Sequence, residues 1–163
     1  MGNTDDPAEV YHQYLPRILS YVRLRVDGED LAQDLTAEVF ERAVAHQHTL
    51  RHREAMGAWL FTIARNTVAG YYRQQRPTVS LEQVADLPGA DPDPPEVVMR
   101  DEELTRLRAA LATLSERDQE VVRLKFGGGL RNEEIGHVLR LRAGHVAVIL
   151  YRALGKLRLR LEG

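Results

Sequence analysis

The chain has 163 residues, of which 44% are hydrophobic and 28% are charged, and it contains no cysteine. This composition suits an ordinary globular core, and the lack of cysteine excludes disulfides, thiol catalysis and thiolate zinc sites. The longest apolar run, Val146 to Tyr151, has six residues, against the roughly 20 of a membrane-spanning helix. The N-terminus lacks the pattern of a signal peptide, so we expect a cytoplasmic protein with no membrane partner.

The net charge of −2 hides an uneven distribution along the chain. Residues 1–76 carry 9 Lys and Arg against 10 Asp and Glu. Residues 77–103 carry one basic against eight acidic residues, whereas residues 104–163 carry 12 basic against six acidic residues. A basic unit behind an acidic connector suggests a polyanionic partner, with a solvated basic surface as the simpler alternative.

Three helices are predicted in residues 1–76. Asp6 before Pro7 is a typical helix start, because an N-cap acceptor precedes a residue that needs no N–H at the first helical position. After a turn at residues 27–28, apolar residues recur at four-residue intervals in a second helix: Leu31, Leu35 and Val39. A third helix has one face formed by Leu60, Ile63, Ala64, Thr67 and Tyr71.

Residues 77–95 hold five of the seven prolines and four acidic residues. They lack apolar periodicity, so this segment is predicted to be a flexible acidic linker.

Four more helices are predicted beyond the linker. The first spans about 96–112, and the second begins at Ser115, with Asp118 in the capping-box position, and ends near Phe126. The third spans 132–139 and the fourth about 143–161. Within the fourth, the β-branched run 146–151 and the alternation at 157–161 favour a strand, but an apolar stripe at spacings of four, three, four and four favours a helix.

The sequence therefore predicts an all-α protein with two small helical domains. Residues 1–76 form a three-helix bundle, and residues 96–163 form a four-helix domain. In the second domain a short helix, a tight turn and a long basic helix are typical of a helix-turn-helix, whose second helix enters the major groove of DNA.

Several segments carry a resemblance to a known family. Residues 114–126 read LSERDQEVVRLKF and residues 151–158 read YRALGKLR. With the helix-turn-helix pattern, they resemble region 4 of bacterial sigma factors of the extracytoplasmic-function type. Residues 34–43 (DLTAEVFERA) and 58–66 (AWLFTIARN) resemble region 2 of the same family. We expect no further domain after residue 163, as in the minimal members of the group.

The resemblance implies a surface for RNA polymerase on the second helix. Its residues are Asp34, Leu35, Glu38, Val39 and Arg42. From spacing alone, the same residues fit a solvated face with one Glu–Arg pair.

The resemblance also implies that the third helix and the loop before it meet melted promoter DNA at the minus-ten element. Such a site needs stacking surfaces and cations. The candidates are Trp59, Arg65, Asn66, Tyr72, Arg73 and Arg76. Trp59 and Tyr71 have the alternative of a core position, which we favour for Tyr71. Gly70 stands where the family commonly has an acidic residue.

The recognition helix departs most from the family. Ala147, Val148 and Ile149 stand where the family usually presents polar or basic residues. The remaining candidates for the minus-thirty-five element are Arg140, Arg142, His145, Arg152 and Lys156. These residues can still contact DNA phosphates. Few side chains remain to read bases directly, because direct readout mainly needs hydrogen-bonding side chains. An exposed pair at 148–149 could instead contact another protein.

His46, His48 and His52 form a small cluster between the second and third helices. No carboxylate or cysteine is fixed nearby, so we expect a solvated loop rather than a metal site, and we expect no cofactor.

The resemblance implies a sigma factor that is not an enzyme. Its expected partners are core RNA polymerase, promoter DNA and an anti-sigma factor, and by family analogy the acidic linker lies along the polymerase channel for nascent RNA. Two alternatives remain open. One is a sigma-derived regulator that docks on polymerase without reading promoters. The other is a DNA-binding regulator whose N-terminal unit only dimerises, against which residues 34–43 argue.

Overall fold

The computed structural model describes residues 6–75 and 95–162. These residues form seven α-helices and no strand, so the all-α prediction is confirmed. The helices are α1 (Pro7–Arg25), α2 (Glu29–Ala45), α3 (Met56–Gln75), α4 (Pro95–Leu111), α5 (Glu116–Val122), α6 (Asn132–Leu139) and α7 (Ala143–Glu162). The stretch that could have been a strand is part of α7. Arg76 and linker residues 77–94 lie outside the described residues.

The N-terminal unit is a three-helix arrangement. The Asp6 side chain accepts a hydrogen bond from the backbone N–H of Ala8 (3.1 Å), which caps α1 as predicted. Gly28, with φ of +108°, separates α1 from α2 in a backbone conformation that L side chains rarely adopt. Both α1 and α3 pack on α2, and apolar residues from all three helices form the core: Ile18, Val22, Val39, Leu60 and Ala64.

The C-terminal unit contains the predicted helix-turn-helix. Ser115 caps α5 by accepting from the N–H of Asp118 (3.2 Å). A π-helical turn, Arg123–Gly127, continues α5. The α6 helix ends at Arg140, which adopts a left-handed conformation (φ 59°) before the turn into α7. The α6 and α7 helices pack against each other, so α7 is braced as a recognition helix is.

The two units also pack on each other. The π-helical turn contacts α1, and α6 contacts α3. Arg17 Nε donates to the Gly128 carbonyl (2.7 Å), and a Cβ at Gly128 would lie 2.6 Å from the Phe61 ring. The glycine run that the sequence marks as a helix end therefore also permits a close approach between units.

A single hydrophobic core contains residues from both units. The sequence predicts two units and a tether, and it carries no signal for this contact. Among the described residues, no helix combines the length and apolar character needed to span a membrane.

Candidate nucleic-acid interface

The α3 helix places its polar candidates toward the C-terminal unit. Arg65, Asn66 and Arg73 line a cleft of about 430 Å³ whose other wall includes Glu116 and Glu120. Arg65 Nε lies 3.1 Å from a carboxylate oxygen of Glu120. One cation of the face predicted to bind single-stranded DNA is thus paired with α5, although all three side chains remain exposed.

Two aromatic candidates of α3 are engaged within the protein. Trp59 is half-buried, and its Nε1 donates to Thr49 Oγ1 (2.9 Å). The Tyr72 hydroxyl donates to the Arg25 carbonyl (2.6 Å), and partial burial raises its pKa. Tyr71 packs partly against the core, and its ring lies edge-on to that of Tyr72. The exposed part of the Tyr72 ring is the stacking surface that α3 offers.

A buried charged cluster, which no sequence pattern predicted, joins the two units. Glu120 is buried, and its carboxylate accepts hydrogen bonds from the Tyr21 hydroxyl (2.6 Å), Arg25 (3.2 Å) and Arg65 (3.1 Å), all in the N-terminal unit. Arg123, one turn along the chain from Glu120, donates to its other oxygen (3.1 Å). Burial, and then the neighbouring Glu120 charge, raise the pKa of Tyr21.

The cluster could not be found from sequence periodicity. The partners of Glu120 across the interface lie 55 to 99 residues away in the chain. The only local signal is a Glu and an Arg three residues apart among the apolar positions 121, 122 and 124. A buried carboxylate is stable only when it is paired, so the cluster couples the folding of the two units.

The α2 helix separates the five polymerase candidates into two sets. Asp34 and Arg42 are exposed, and Glu38 pairs with Arg42 (2.7 Å). Leu35 and Val39 are buried in the core. The expectation that all five residues form one surface is therefore corrected, because the two apolar side chains pack inward against α1 and α3.

The C-terminal candidates lie on the solvent side of the helix-turn-helix. They are Arg140, Arg142, His145, Arg152 and Lys156. All five side chains are exposed, and none forms an ion pair or hydrogen bond with another described residue. The expected exposed pair at 148–149 is wrong in part. Val148 is 45% exposed, but Ile149 is 3% exposed, because it belongs to the stripe of α7 that packs on the core.

The predicted histidine cluster is only partly brought together. His46 and His52 line a cleft of about 720 Å³ between the units, and His137 of α6 lines it too. His48 lies instead on a neighbouring groove. Among the described residues, no group of His, Asp or Glu is arranged to hold a metal ion.

Comparison with known families assigns each unit. The family model for Sigma-70 region 2 matches residues 10–78, and the model for Sigma-70 region 4 matches residues 110–159. The chain belongs to the sigma-70 family, in its extracytoplasmic-function (ECF) branch. Region 2 and region 4 below denote the N-terminal and C-terminal units.

Curated relatives support the ECF assignment. The chain is 32% identical over 155 residues to ECF RNA polymerase sigma factor BldN of Streptomyces coelicolor. This alignment covers 93% of the present chain and 59% of BldN. It is 28% identical to RNA polymerase sigma factor YlaC of Bacillus subtilis, and that alignment covers 94% of the present chain and 90% of YlaC. The chain thus spans about three fifths of BldN and nearly the whole of YlaC. These relatives give no support to the predicted alternatives.

Two solved structures share the fold. One is the sigma factor RpoE in complex with the anti-sigma factor NepR from Bartonella quintana (TM-score 0.68, 24% identity, 95% of this chain and 96% of that chain). The other is CnrH in complex with the cytosolic domain of CnrY (TM-score 0.71, 23% identity, 99% and 90%). The fold of this chain, in which region 4 packs on region 2, is therefore shared with these two solved structures.

Proposed function

We propose that this ECF sigma factor binds core RNA polymerase and directs it to specific promoters. Region 2 would capture melted minus-ten DNA, and region 4 would bind the minus-thirty-five element. The observation that carries the proposal is the presence of both sigma regions in one chain. Each region has exposed cationic side chains among its candidate residues. Bond formation would belong to the polymerase, in the cytoplasm, and this chain would act as an initiation factor rather than as an enzyme.

The polymerase surface is proposed to be the exposed part of α2. Asp34, Glu38 and Arg42 lie at four-residue intervals on one side of the helix and are held on a rigid core through Leu35 and Val39. We expect the double charge reversal Asp34→Lys with Glu38→Lys to abolish binding to core polymerase. The reversal Glu9→Lys, at an exposed position of α1, is the matched control and should leave binding intact.

Region 2 is proposed to read the minus-ten element only after region 4 has moved. Arg65 and Asn66 face the cleft toward α5, and Arg65 is paired with Glu120. A single strand needs both a cationic guide and an aromatic stacking surface. Because Arg65 is paired with Glu120 of α5, separation of the two regions would free this cation for the DNA backbone.

An anti-sigma factor is proposed as a further partner. Two proteins of this fold were solved in complexes, one with the anti-sigma factor NepR and one with the cytosolic domain of CnrY. Such a partner would lower transcription by the reconstituted holoenzyme, and titration of a candidate into that reaction tests the proposal.

The test of the function is transcription in vitro with core polymerase on a library of genomic fragments, with sequencing of the transcript starts. Starts that share two spaced promoter elements are expected. Stable binding to core polymerase without any specific start would contradict promoter recognition.

A further inference from the structure

The face of α7 that points away from the protein is apolar where a recognition helix meets the bases. The buried residues Val146, Leu150 and Ala153 set the rotation of the helix. The opposite side of its first half carries Ala147, Val148 and Tyr151, with Val148 45% and Tyr151 83% exposed. The N-terminal half of a recognition helix is the part that contacts base edges.

Basic side chains lie beside this apolar centre. Arg140 and Arg142 precede α7, and His145, Arg152 and Lys156 lie along it, all exposed and without an ionic partner among the described residues. A surface with a cationic border and an apolar centre complements the major groove, where phosphates border the bases and the thymine 5-methyl group lies on the floor. The charge of the border therefore favours DNA over a protein partner.

The centre also lacks the side chains that read other bases. Guanine is read by Arg or Lys and adenine by Asn or Gln, and residues 144, 147 and 148 are Gly, Ala and Val. The thymine methyl group is the one base feature in the major groove that an apolar side chain can contact favourably.

Gly144 leaves room for a close approach to the start of α7. At Gly136 of α6, an added Cβ would collide with the Leu141 carbonyl, so the fold requires that glycine. At Gly144 an added Cβ would meet nothing within 4 Å, and the backbone is ordinary helix. Neither packing nor backbone conformation requires a glycine at position 144, and the missing side chain leaves the backbone of this helix turn open to a close approach.

We infer that region 4 recognises its minus-thirty-five element through thymine 5-methyl groups, which Ala147, Val148 and Tyr151 contact while the surrounding cations hold the phosphates. The inference rests on the proposed function. It assigns base specificity to apolar contacts in place of hydrogen bonds.

The test uses holoenzyme formed from the full chain and promoter duplexes defined by the mapped transcript starts. Each thymine of the minus-thirty-five element is replaced in turn by deoxyuridine, which removes the methyl group and keeps base pairing. Binding should weaken about fourfold for each contacted methyl. The same replacement in the spacer between the two elements is the control and should change nothing.

A variant links the effect to the named face. In Val148→Ala, replacing the thymine that Val148 contacts by deoxyuridine should no longer weaken binding. Leu159→Ala, also on α7 and 76% exposed but far from its N-terminus, should retain the full penalty. Thermal unfolding of both variants checks that each is folded.

The outcomes separate this inference from the proposed function. Equal binding to thymine and deoxyuridine duplexes, or shared elements without thymine, would overturn methyl recognition while leaving the sigma factor intact. Methyl recognition would also be overturned if Val148→Ala changed neither the transcript starts nor the promoter binding. The exposed face of α7 would then be assigned to a protein partner. The absence of any specific start would overturn both.

Discussion

The two faces proposed to contact promoter DNA differ in how far the protein itself occupies them. On α3, Arg65 is paired with Glu120 and the Tyr72 hydroxyl donates to the Arg25 carbonyl. On α7, Arg152 and Lys156 are exposed and have no ionic partner among the described residues. Under the proposed function, region 4 would bind duplex DNA in this conformation, whereas region 2 would first have to lose contacts to region 4.

The difference has a physical origin in the buried cluster around Glu120. A carboxylate removed from water needs several donors, and three of its four donors come from region 2. The interface is thus specific, because the Glu120 carboxylate has all four donors only when the two regions meet in this geometry.

The largest effect is expected from removal of the buried carboxylate. Glu120→Ala removes the carboxylate partner of the buried Arg123 and the half-buried Arg25, so the free energy of unfolding should fall by about 3–5 kcal/mol. Urea unfolding measures it. Glu116→Ala, which removes an exposed carboxylate of the same helix, should change stability by less than about 0.5 kcal/mol. A loss below 1 kcal/mol for Glu120→Ala would show that the cluster does not hold the regions together.

A second way to separate the regions is steric. In Gly128→Ala, the new Cβ would lie 2.6 Å from the Phe61 ring and 2.9 Å from the Leu124 carbonyl, so overpacking should cost about 1–3 kcal/mol. Amide exchange of α3 should accelerate as region 4 moves away. Gly155→Ala is the matched control: its Cβ enters open space, and the higher helix propensity of Ala should stabilise the protein by up to about 1 kcal/mol.

The cluster also predicts a dependence of stability on alkaline pH. The pKa of Tyr21 is raised in the folded protein by burial and by Glu120, so folding favours the protonated phenol. This contribution is fully present below the unfolded pKa of about 10 and is lost as pH rises above it, by up to about 1.4 kcal/mol per pH unit.

Substitution by phenylalanine isolates this effect. Tyr21→Phe should flatten the decline in unfolding free energy above pH 10, as measured by urea unfolding across that range. Tyr151→Phe, at an exposed position, should retain the decline of the unsubstituted protein. An unchanged slope in Tyr21→Phe would contradict the role of the buried phenol.

The smallest effect is expected on the face of α7. Arg152→Ala should weaken binding to all minus-thirty-five duplexes alike and reduce the slope of log K against log salt by about one, because one phosphate contact is lost. Arg106→Ala, at an exposed position of α4, should leave the slope unchanged. A change in sequence preference with Arg152→Ala would instead indicate a base contact and would weaken the case for methyl readout.

The local structure could be read from the sequence with good accuracy. The Asp6 and Ser115 caps, the bounds of the helix at 132–139 and the helical choice for residues 143–161 all follow from capping and periodicity. These signals act between residues a few positions apart, so they survive without any knowledge of the rest of the fold. The family resemblance rests on the same kind of contiguous segments.

The burial of individual site residues was harder to predict from the sequence. Leu35 and Val39 were assigned to a binding surface and Ile149 to an exposed face, although all three are buried. A helical segment indicates which residues share a face, but an apolar face can be directed to the core or to a partner. The rotation of the helix within the fold makes that choice.

By itself, the sequence determined seven helices, two units, a basic region 4 and an apolar centre on its recognition helix, because each follows from local spacing or composition. Only the tertiary structure decided that the units pack together, that Glu120 joins Tyr21, Arg25 and Arg65, and that α3 and α5 line one cleft. Those contacts join residues 55 to 99 positions apart. No local pattern specifies them, because their stability comes from burial and charge pairing that exist only once the chain has folded.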